Sequence, residues 1–232
     1  MNDPLSALRR DIEQCEQCPR LRLYAAQVCQ TRRKAFAGET YWGRPVPGFG
    51  DPKARLLLVG LAPAAHGALR TGRMFTGDRS GDFLFAALHR AGFCNQPHSH
   101  DRSDGLHLHD AWLSAAARCA PPGNRPQPDE FARCRPFLER ELALLGGVRV
   151  IITLGQLGHE QLLRALAAPR PRSQYRFAHG AEYALGGYRV LACYHPSQQN
   201  TFTGRLRPAM LDVLLARARQ IMADSEPLQR PK

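Results

Sequence analysis

The sequence predicts a three-layer α/β/α sandwich around a central, mostly parallel four-stranded sheet. Short apolar runs typical of buried strands alternate along the chain with longer segments of helical periodicity. This alternation favours a parallel sheet with helices covering both of its faces. Ligands of such sheets bind at the carboxyl ends of the strands, so we expect the functional residues at that edge.

The first segments precede the sheet. Residues 3–14 predict a short helix with Asp3 as its cap and Pro4 at the first helical position. This helix runs directly into Cys15-Glu16-Gln17-Cys18-Pro19. Residues 32–52 are rich in glycine, proline and aromatic side chains, which predicts an ordered surface loop.

The first strand is predicted over residues 55–60, an apolar run that ends abruptly in Gly-Leu-Ala-Pro. A helix is predicted over 82–91, with Phe83 and Leu84 on its apolar face. A second strand is expected within 107–117.

The C-terminal half continues the alternation. Residues 128–145 have helical periodicity, and their start, Pro128-Asp129-Glu130, is typical of a helix N-terminus. The elements expected after this helix are a strand over 148–155, a helix over 156–167, a strand over 188–194 and a closing helix over 206–222. Residues 224–232 predict a frayed polar tail.

Length and composition limit the classes of protein to which this chain can belong. A chain of 232 residues with 44% hydrophobic side chains fits one globular domain over residues 1–232. The sequence has no run of 18 apolar residues, and its first residues lack the pattern of a secretion signal. We therefore expect a cytoplasmic protein without a membrane partner, and a monomer.

The charge balance indicates a polyanionic partner. Lys and Arg number 32 against 20 Asp and Glu, which gives a net charge of +12, and arginine carries the excess. Because a guanidinium grips phosphate with two bonds, nucleic acid is the first candidate. The competing interpretation is an arginine-rich surface that serves solubility.

Cysteines form two pairs and three isolated residues. Seven cysteines in a cytosolic chain argue against a disulfide framework and favour metal binding by a subset. Cys15 and Cys18 form a C-x-x-C pair, and Cys119 and Cys134 bracket a proline-rich loop. Four thiolates can hold either a structural zinc or a 4Fe–4S cluster, and the spacing alone does not choose. The alternative is that all seven are ordinary reduced thiols.

Two segments follow predicted strands and are expected at the ligand edge, residues 60–82 and 195–205. Neither has the Gly-Lys-Ser/Thr of a Walker loop or the G-x-G-x-x-G of a dinucleotide fold, so nothing supports a nucleotide cofactor.

These segments resemble the uracil-DNA glycosylase superfamily, and most closely its iron–sulfur branch known as family 5, or type B. The resemblance rests on Gly-Leu-Ala-Pro at 60–63, the Arg-Thr-Gly-Arg-Met-Phe-Thr-Gly-Asp run at 70–78, Cys-Ala-Pro-Pro-Gly-Asn at 119–124 and His-Pro-Ser-x-x-Asn-Thr at 195–201. They occur in the family's order, together with its cysteine spacings.

The resemblance implies a DNA-repair glycosylase that flips uracil or a related damaged base out of DNA and hydrolyses its bond to the sugar. It also implies a 4Fe–4S cofactor rather than zinc, with Cys15, Cys18, Cys119 and Cys134 as ligands, and a structural role for that cluster.

The same resemblance assigns roles to residues at the two edge segments. Asp78 is the catalytic carboxylate, which activates water and stabilises the sugar cation, although Asp before a helix is also a common cap. His195 donates to the base oxygen as negative charge develops there, although a lone His at a strand end is often structural. Asn124 joins the catalytic set in the pocket wall, although a turn former is the ordinary interpretation.

Further residues are expected to bind the substrate. Phe75 stacks on the extruded base, with core packing as the rival interpretation, and Ser197 and Asn200 contact the nucleotide or its phosphate. Backbone amides of Gly60, Leu61 and Ala62 supply hydrogen-bond donors. Arginines are candidates for phosphate contacts or for plain surface charge, at positions Arg70, Arg73 and Arg205. Gln198 and Gln199 are candidates to fill the gap left by the base.

Two positions separate this chain from the sister branch, family 4. That branch resembles Gly-Glu-Ala-Pro in the first motif and carries an Asn four residues before the third cysteine; here the residues are Leu61 and Ala115. The resemblance therefore implies a more tolerant pocket, which accepts lesions such as hypoxanthine or hydroxymethyluracil.

A second function remains open, namely a non-catalytic nucleic-acid-binding module with a structural zinc. An iron–sulfur redox protein is a third. Neither segment contains a lysine, which argues against strand cleavage through a Schiff base. Five further histidines are expected in solvated loops rather than in a second metal site: His66, His98, His100, His107 and His109.

Overall fold

The computed structural model describes residues 3–224, through which a six-stranded sheet runs. Its strands in chain order are β1 (Phe49–Gly50), β2 (Leu56–Gly60), β3 (Ala111–Ala115), β4 (Val150–Leu154), β5 (Glu182–Leu185) and β6 (Tyr188–Cys193). The spatial order is β1-β3-β2-β4-β6-β5. The central four strands are mutually parallel, and β1 and β5 pair antiparallel at the two edges.

Helices surround this sheet. They are α1 (Pro4–Glu13), α2 (Pro19–Thr31), α3 (Ala68–Thr71), α4 (Arg79–Arg90), α5 (Pro128–Leu144), α6 (Gln156–Ala165), α7 (Gln198–Phe202) and α8 (Pro208–Asp224). Helix α4 packs against α8, which contacts β4 and β6, while α5 packs against α6, which contacts β2 and β4. Helix α1 lies on the outside of α5.

The three-layer sandwich with a mostly parallel sheet is therefore confirmed. Every residue of β2, β3 and β4 is buried, because helices cover both faces of these strands. The apolar side chains form one core between the sheet and α4 with α8, and another between the sheet and α5 with α6. The four predicted strands are present, and the sheet gains the two short edge strands that the sequence analysis did not predict.

The carboxyl ends of the parallel strands converge. Gly60 at the end of β2 pairs with Ala115 at the end of β3, and Leu154 at the end of β4 pairs with Cys193 at the end of β6. The segments after β2 and β6 therefore leave the sheet at the same edge.

Several boundaries differ from the expectation. The helix predicted over 82–91 begins at Arg79, because Asp78 caps it, and the strand expected within 107–117 is confined to Ala111–Ala115. Helix α2 was not predicted. The tail predicted from residue 224 lies outside the described residues, apart from its first one. Among residues 3–224, no helix has the length and apolar character needed to cross a bilayer.

Candidate active site and cysteine cavity

An open cavity of about 1050 Å³ lies at the carboxyl edge of the sheet. Both predicted segments contribute to its wall, since Asp78 comes from the segment after β2 and Gln198 and Phe202 from the segment after β6. Asn124, from the loop between two cysteines, also lines it. The two segments therefore lie together at this edge of the sheet, as the sequence analysis predicts.

Asp78 has two roles at once, a helix cap and a cavity-lining carboxylate. Its Oδ1 accepts a hydrogen bond of 3.0 Å from the backbone N–H of Gly81 in the first turn of α4. Burial raises the pKa of Asp78 above its usual value, and the backbone N–H groups of Gly81 and Ser80 oppose that rise. A carboxylate in this environment is a better proton acceptor than an exposed one.

Gly67 lets the other oxygen of this carboxylate occupy its position. A Cβ atom at residue 67 would lie 2.1 Å from Asp78 Oδ2, which is closer than any real contact. The loop after β2 thus approaches the carboxylate through a backbone without a side chain. The sequence analysis did not predict a role for Gly67, because the need for glycine there comes from Asp78, eleven residues away in the chain.

Phe75 and His195 form a second group near the ends of β2 and β6, and both residues are half-buried. Their ring centroids lie 6.3 Å apart with the planes tilted by 33°. Gly60 makes room for the Phe75 ring, since a Cβ there would lie 2.6 Å from Phe75 Cζ. Gly155, at φ +92°, does the same for His195, whose Cβ would lie 3.1 Å from an added Cβ. Two glycines at adjacent strand ends therefore position the two rings side by side.

His195 is uncharged in this setting. Burial lowers its pKa to about 4, so the imidazole is neutral at physiological pH and carries one N–H donor. The ring does not belong to the wall of the large cavity, and it contacts Phe75 instead. Phe75 itself has φ +53°, an unfavourable conformation for an aromatic residue that the surrounding packing maintains.

Ser197 and Asn200 organise the segment that follows His195. The Ser197 hydroxyl caps α7 by accepting from the N–H of Asn200, and Asn200 Nδ2 donates to the carbonyl of His195 at 2.8 Å. Both side chains thus fix the path of the backbone around His195. Asn124 is exposed at the cavity rim with φ +56°, so the turn-former interpretation holds for it alongside a position in the cavity wall.

The residues at the end of β2 are joined to the neighbouring strand. The carbonyls of Gly60 and Leu61 accept hydrogen bonds from Ala116 and Ala117. Leu61 and Ala62 pack beside Ala116, Ala117 and Phe131. Ala115, the other position that departs from family 4, is fully buried and belongs to a cluster against which Phe75 packs.

A second, closed cavity brings together the four predicted cysteine ligands. Cys15 follows α1, Cys18 precedes α2, Cys119 follows β3 and Cys134 lies within α5, and all four line this cavity. Burial raises the thiol pKa of Cys119 to about 12 and that of Cys134 to about 11. Thiolates are therefore unfavourable here unless positive charge accompanies them.

The four thiols line one shared cavity, and thiolates are the ligands of both structural zinc and 4Fe–4S clusters. Within residues 3–224, no three Cys, His, Asp or Glu side chains are grouped so that they could hold a metal ion. The donor set therefore fits a group held by thiolates, and the cavity alone does not choose between zinc and a cluster.

The family model of the uracil DNA glycosylase superfamily matches residues 47–219 of this chain. The chain belongs to that superfamily. A type-5 uracil-DNA glycosylase of Mycobacterium leprae is 52% identical over 216 residues, which are 92% of this chain and 94% of that protein. One of Thermus thermophilus is 52% identical over 87% of this chain and 91% of that protein, and one of Pyrobaculum aerophilum is 44% identical over 88% and 87%.

Membership in this glycosylase superfamily confirms two predictions from the sequence. The resemblance to family 5 is confirmed by the type-5 relatives, and a DNA-repair glycosylase is confirmed over a binding module with a structural zinc, which no finding favours.

Two arginines of this glycosylase were wrongly expected to be free for phosphate. Arg70 is buried and pairs with Glu39, and it also donates to the carbonyls of His66 and Gly77. Arg73 is buried and pairs with Asp104 at 2.6 Å. Arg70 stabilises the loop between β2 and α4 through two of its carbonyls, and Arg73 connects that loop, at Thr76, to Ser99 and Asp104.

Other residues take the exposed positions around the cavity. Arg33 and Arg79 are exposed and line it, and Arg205 is exposed with its guanidinium over the ring of Tyr194. Phe202 also lines it, with 69% of its surface exposed and the Arg79 guanidinium 5.5 Å from its ring centre.

The histidine expectation holds with one exception. His98, His100, His107 and His109 are exposed. His66 is half-buried instead, since its Nδ1 is 3.0 Å from the Tyr41 hydroxyl and its ring lines the large cavity.

Proposed function

We propose that this chain removes uracil and related deaminated bases from DNA by hydrolysing the N-glycosidic bond, which leaves an abasic site. The observation that carries the proposal is the Asp78 carboxylate, which is held in the wall of a cavity large enough for an extruded nucleotide and has a raised pKa. The proposal includes a monomeric enzyme in the cytoplasm with DNA as its partner.

Asp78 acts on the sugar side of the bond. Oδ1 is engaged by the helix cap, so Oδ2 is the oxygen available to orient a water molecule and accept its proton. The water oxygen bonds to the anomeric carbon while the bond to the base breaks, and the base leaves with the bonding electron pair. The carboxylate also stabilises the positive charge that develops on the sugar.

His195 acts on the base side. A neutral imidazole has one N–H group, which donates a hydrogen bond to the base oxygen. This bond stabilises the departing anion at physiological pH. Phe75, packed on His195, supplies a face on which the base stacks. Amides of Gly60, Leu61 and Ala62 add donors at the end of β2.

The remaining predicted residues hold the nucleotide. Asn124 completes the catalytic set from the opposite rim of the cavity, and Ser197 with Asn200 keeps the backbone after His195 in place beside the phosphate. The apolar Ala115 beside Phe75 cannot select one pattern of hydrogen bonds on the base. We therefore expect hypoxanthine and hydroxymethyluracil as further substrates.

Phe202 fills the gap in the duplex. It is a large exposed side chain on the short helix α7, next to Gln198 in the cavity wall. Its apolar ring can stack between the bases that flank the vacated position, which Gln198 or Gln199 would do less well.

The four cysteines, Cys15, Cys18, Cys119 and Cys134, hold a 4Fe–4S cluster in the closed cavity. Such a cluster supplies no step of the hydrolysis. Its four ligands would tie the junction of α1 and α2 to the end of β3 and to α5.

A labelled duplex with one uracil tests the function. The purified protein, followed by alkali, is expected to cut the uracil strand and, more slowly, a hypoxanthine strand, and to leave a thymine control intact. Without alkali the strand should stay whole, because no lysine forms a Schiff base. An intact uracil strand after alkali, at enzyme excess, would overturn the proposal.

A further inference from the structure

Arg118 is a buried cation with unused hydrogen-bond donors. It follows β3 directly before Cys119, and only 1% of its surface is exposed. Its Nη2 pairs with Glu141 at 2.6 Å, while Nε and Nη1 are buried without a hydrogen-bond partner among the described residues. A buried guanidinium nitrogen without a hydrogen-bond partner lowers the stability of the folded state, so we expect a partner for Nε and Nη1.

Arg118 belongs to the wall of the cysteine cavity. Arg118 lines that cavity together with the four cysteines, and its backbone N–H donates to Cys134 Sγ at 3.2 Å.

The other arginines of the cavity are already engaged. Arg22 Nη1 donates to the carbonyl of Gly43, and Arg133 pairs with Asp129, although its Nη1 lies 3.9 Å from Cys18 Sγ. Arg118 alone among these three combines burial with unpaired donors.

Glu141 fixes the guanidinium from the opposite side. Its Oε1 accepts from Trp112 Nε1 at 2.9 Å and its Oε2 accepts from the Ser114 hydroxyl, so two residues of β3 orient the carboxylate that pairs with Arg118. This buried chain connects the sheet to the cysteine cavity.

We infer that Arg118 is a positioning residue of the cofactor site, whose Nε and Nη1 donate hydrogen bonds to sulfur of the bound iron–sulfur cluster and whose charge offsets that of its four thiolates. The inference rests on the cofactor part of the proposed function. Positive charge and hydrogen bonds at sulfur stabilise such clusters and tune their properties, so Arg118 should govern how firmly the cluster is held.

The test compares Glu141→Gln with the double variant Arg118→Met/Glu141→Gln. Both lack the Glu141 charge, so the double variant leaves no unpaired buried carboxylate, and the pair differs only at residue 118. Two properties are measured on the iron-loaded protein: the rate of iron release to a chelator, and the shift of the Fe–S stretching bands in resonance Raman spectra after reconstitution in D₂O. That shift reports exchangeable donors bonded to sulfur.

We expect the double variant to release iron on the order of 10-fold faster than Glu141→Gln, by analogy with other outer-shell partners of metal ligands, and to lose part of the D₂O shift. Equal release rates and equal shifts would overturn the inference, since a purely structural arginine changes the melting temperature alone.

Arg118→Lys with native Glu141 provides a second route if the double variant does not fold. It keeps the charge and the ion pair but removes Nε, so the D₂O shift should shrink, and an unchanged shift contradicts the inference. Wild-type protein that contains no iron would end the cofactor proposal and this inference together. It would leave the uracil assay as the separate test of the glycosylase activity.

Discussion

Burial has different consequences for the titratable groups of the active-site cavity and for those of the cysteine cavity. In the first, burial raises the pKa of Asp78 and lowers that of His195 to about 4, and each shift suits the group to its part in the chemistry without any further ligand. In the second, burial raises the pKa of Cys119 to about 12, which disfavours the thiolates the site needs. In the second site, neutral thiols are therefore favoured unless a cationic group is bound, whereas the proposed chemistry of the first site requires no such group.

The difference also lies in how each site is assembled. Asp78 and His195 sit in two short motifs at strand ends, and the parallel sheet brings those ends together. The cysteine cavity joins Cys15 and Cys18 to Cys119 and Cys134, across more than a hundred residues of chain. Perturbing the first site should affect chemistry, and perturbing the second should affect structure.

Asp78→Asn separates chemistry from structure with the largest expected effect. Asn is as good a helix cap as Asp, so the melting temperature should stay level, while single-turnover uracil excision should fall by roughly 10²–10⁴-fold. Asp82→Asn, at a second carboxylate of the cavity wall in the first turn of α4, is the matched control and should retain most activity. Full activity in Asp78→Asn would remove the carboxylate from the mechanism.

Gly67→Ala tests whether the position of that carboxylate matters. The new Cβ would lie 2.1 Å from Asp78 Oδ2 and must displace it, so excision should drop by about 10²-fold. Gly146→Ala, where nothing lies within 4 Å of the added atom, should leave the rate unchanged. The excision rates and melting temperatures of the two variants are compared. Equal excision rates would show that activity does not depend on the position of Asp78 Oδ2.

Phe202→Ala should affect duplex substrates selectively. Without the ring to fill the gap, excision from duplex DNA should fall about 10-fold, while excision from single-stranded DNA, which has no gap, should stay near wild type. Val213→Ala is the control, because Val213 is exposed to the same 69% but lies on α8. Equal losses on both substrates would assign Phe202 to general DNA binding.

The pH dependence is the subtlest expected effect. Because burial raises the folded-state pKa of Asp78, its ionised form is lost at a higher pH than that of an exposed carboxyl as the pH falls. The wild-type rate should therefore fall on the acid side by about tenfold per pH unit as Asp78 is protonated, while His195, with a pKa of about 4, is neutral at physiological pH. The acid limb should persist in His195→Ala, and its disappearance there would assign it to the imidazole.

The sequence analysis predicted the four central strands, the two edge segments and the set of four cysteines, because each of these features depends on a local pattern of residues. Leu56–Gly60 is apolar throughout, Val150–Leu154 is apolar except for Thr153, and the four cysteines have a recognisable spacing. The family resemblance supplied what spacing left open, namely a glycosylase and a cluster in place of zinc.

The errors came from partners distant in the chain. Arg70 and Arg73 look free in a motif, but Glu39 and Asp104, each 31 residues away, pair with them. The unpaired donors of Arg118 depend on its packing, which no local pattern reveals. Helix α2 was missed, although Leu21, Ala25 and Val28 have the i, i+4, i+7 spacing of an apolar helix face.

The joint role of Asp78 and His195 can be tested in a crystal structure with duplex DNA that carries a non-hydrolysable 2′-fluoro uracil nucleotide. We expect an extruded uracil on the face of Phe75, with its O2 in hydrogen-bond reach of His195 and the anomeric carbon of its sugar facing Asp78 Oδ2. A uracil bound elsewhere, with Asp78 and His195 on separate sides of the nucleotide's path, would contradict it.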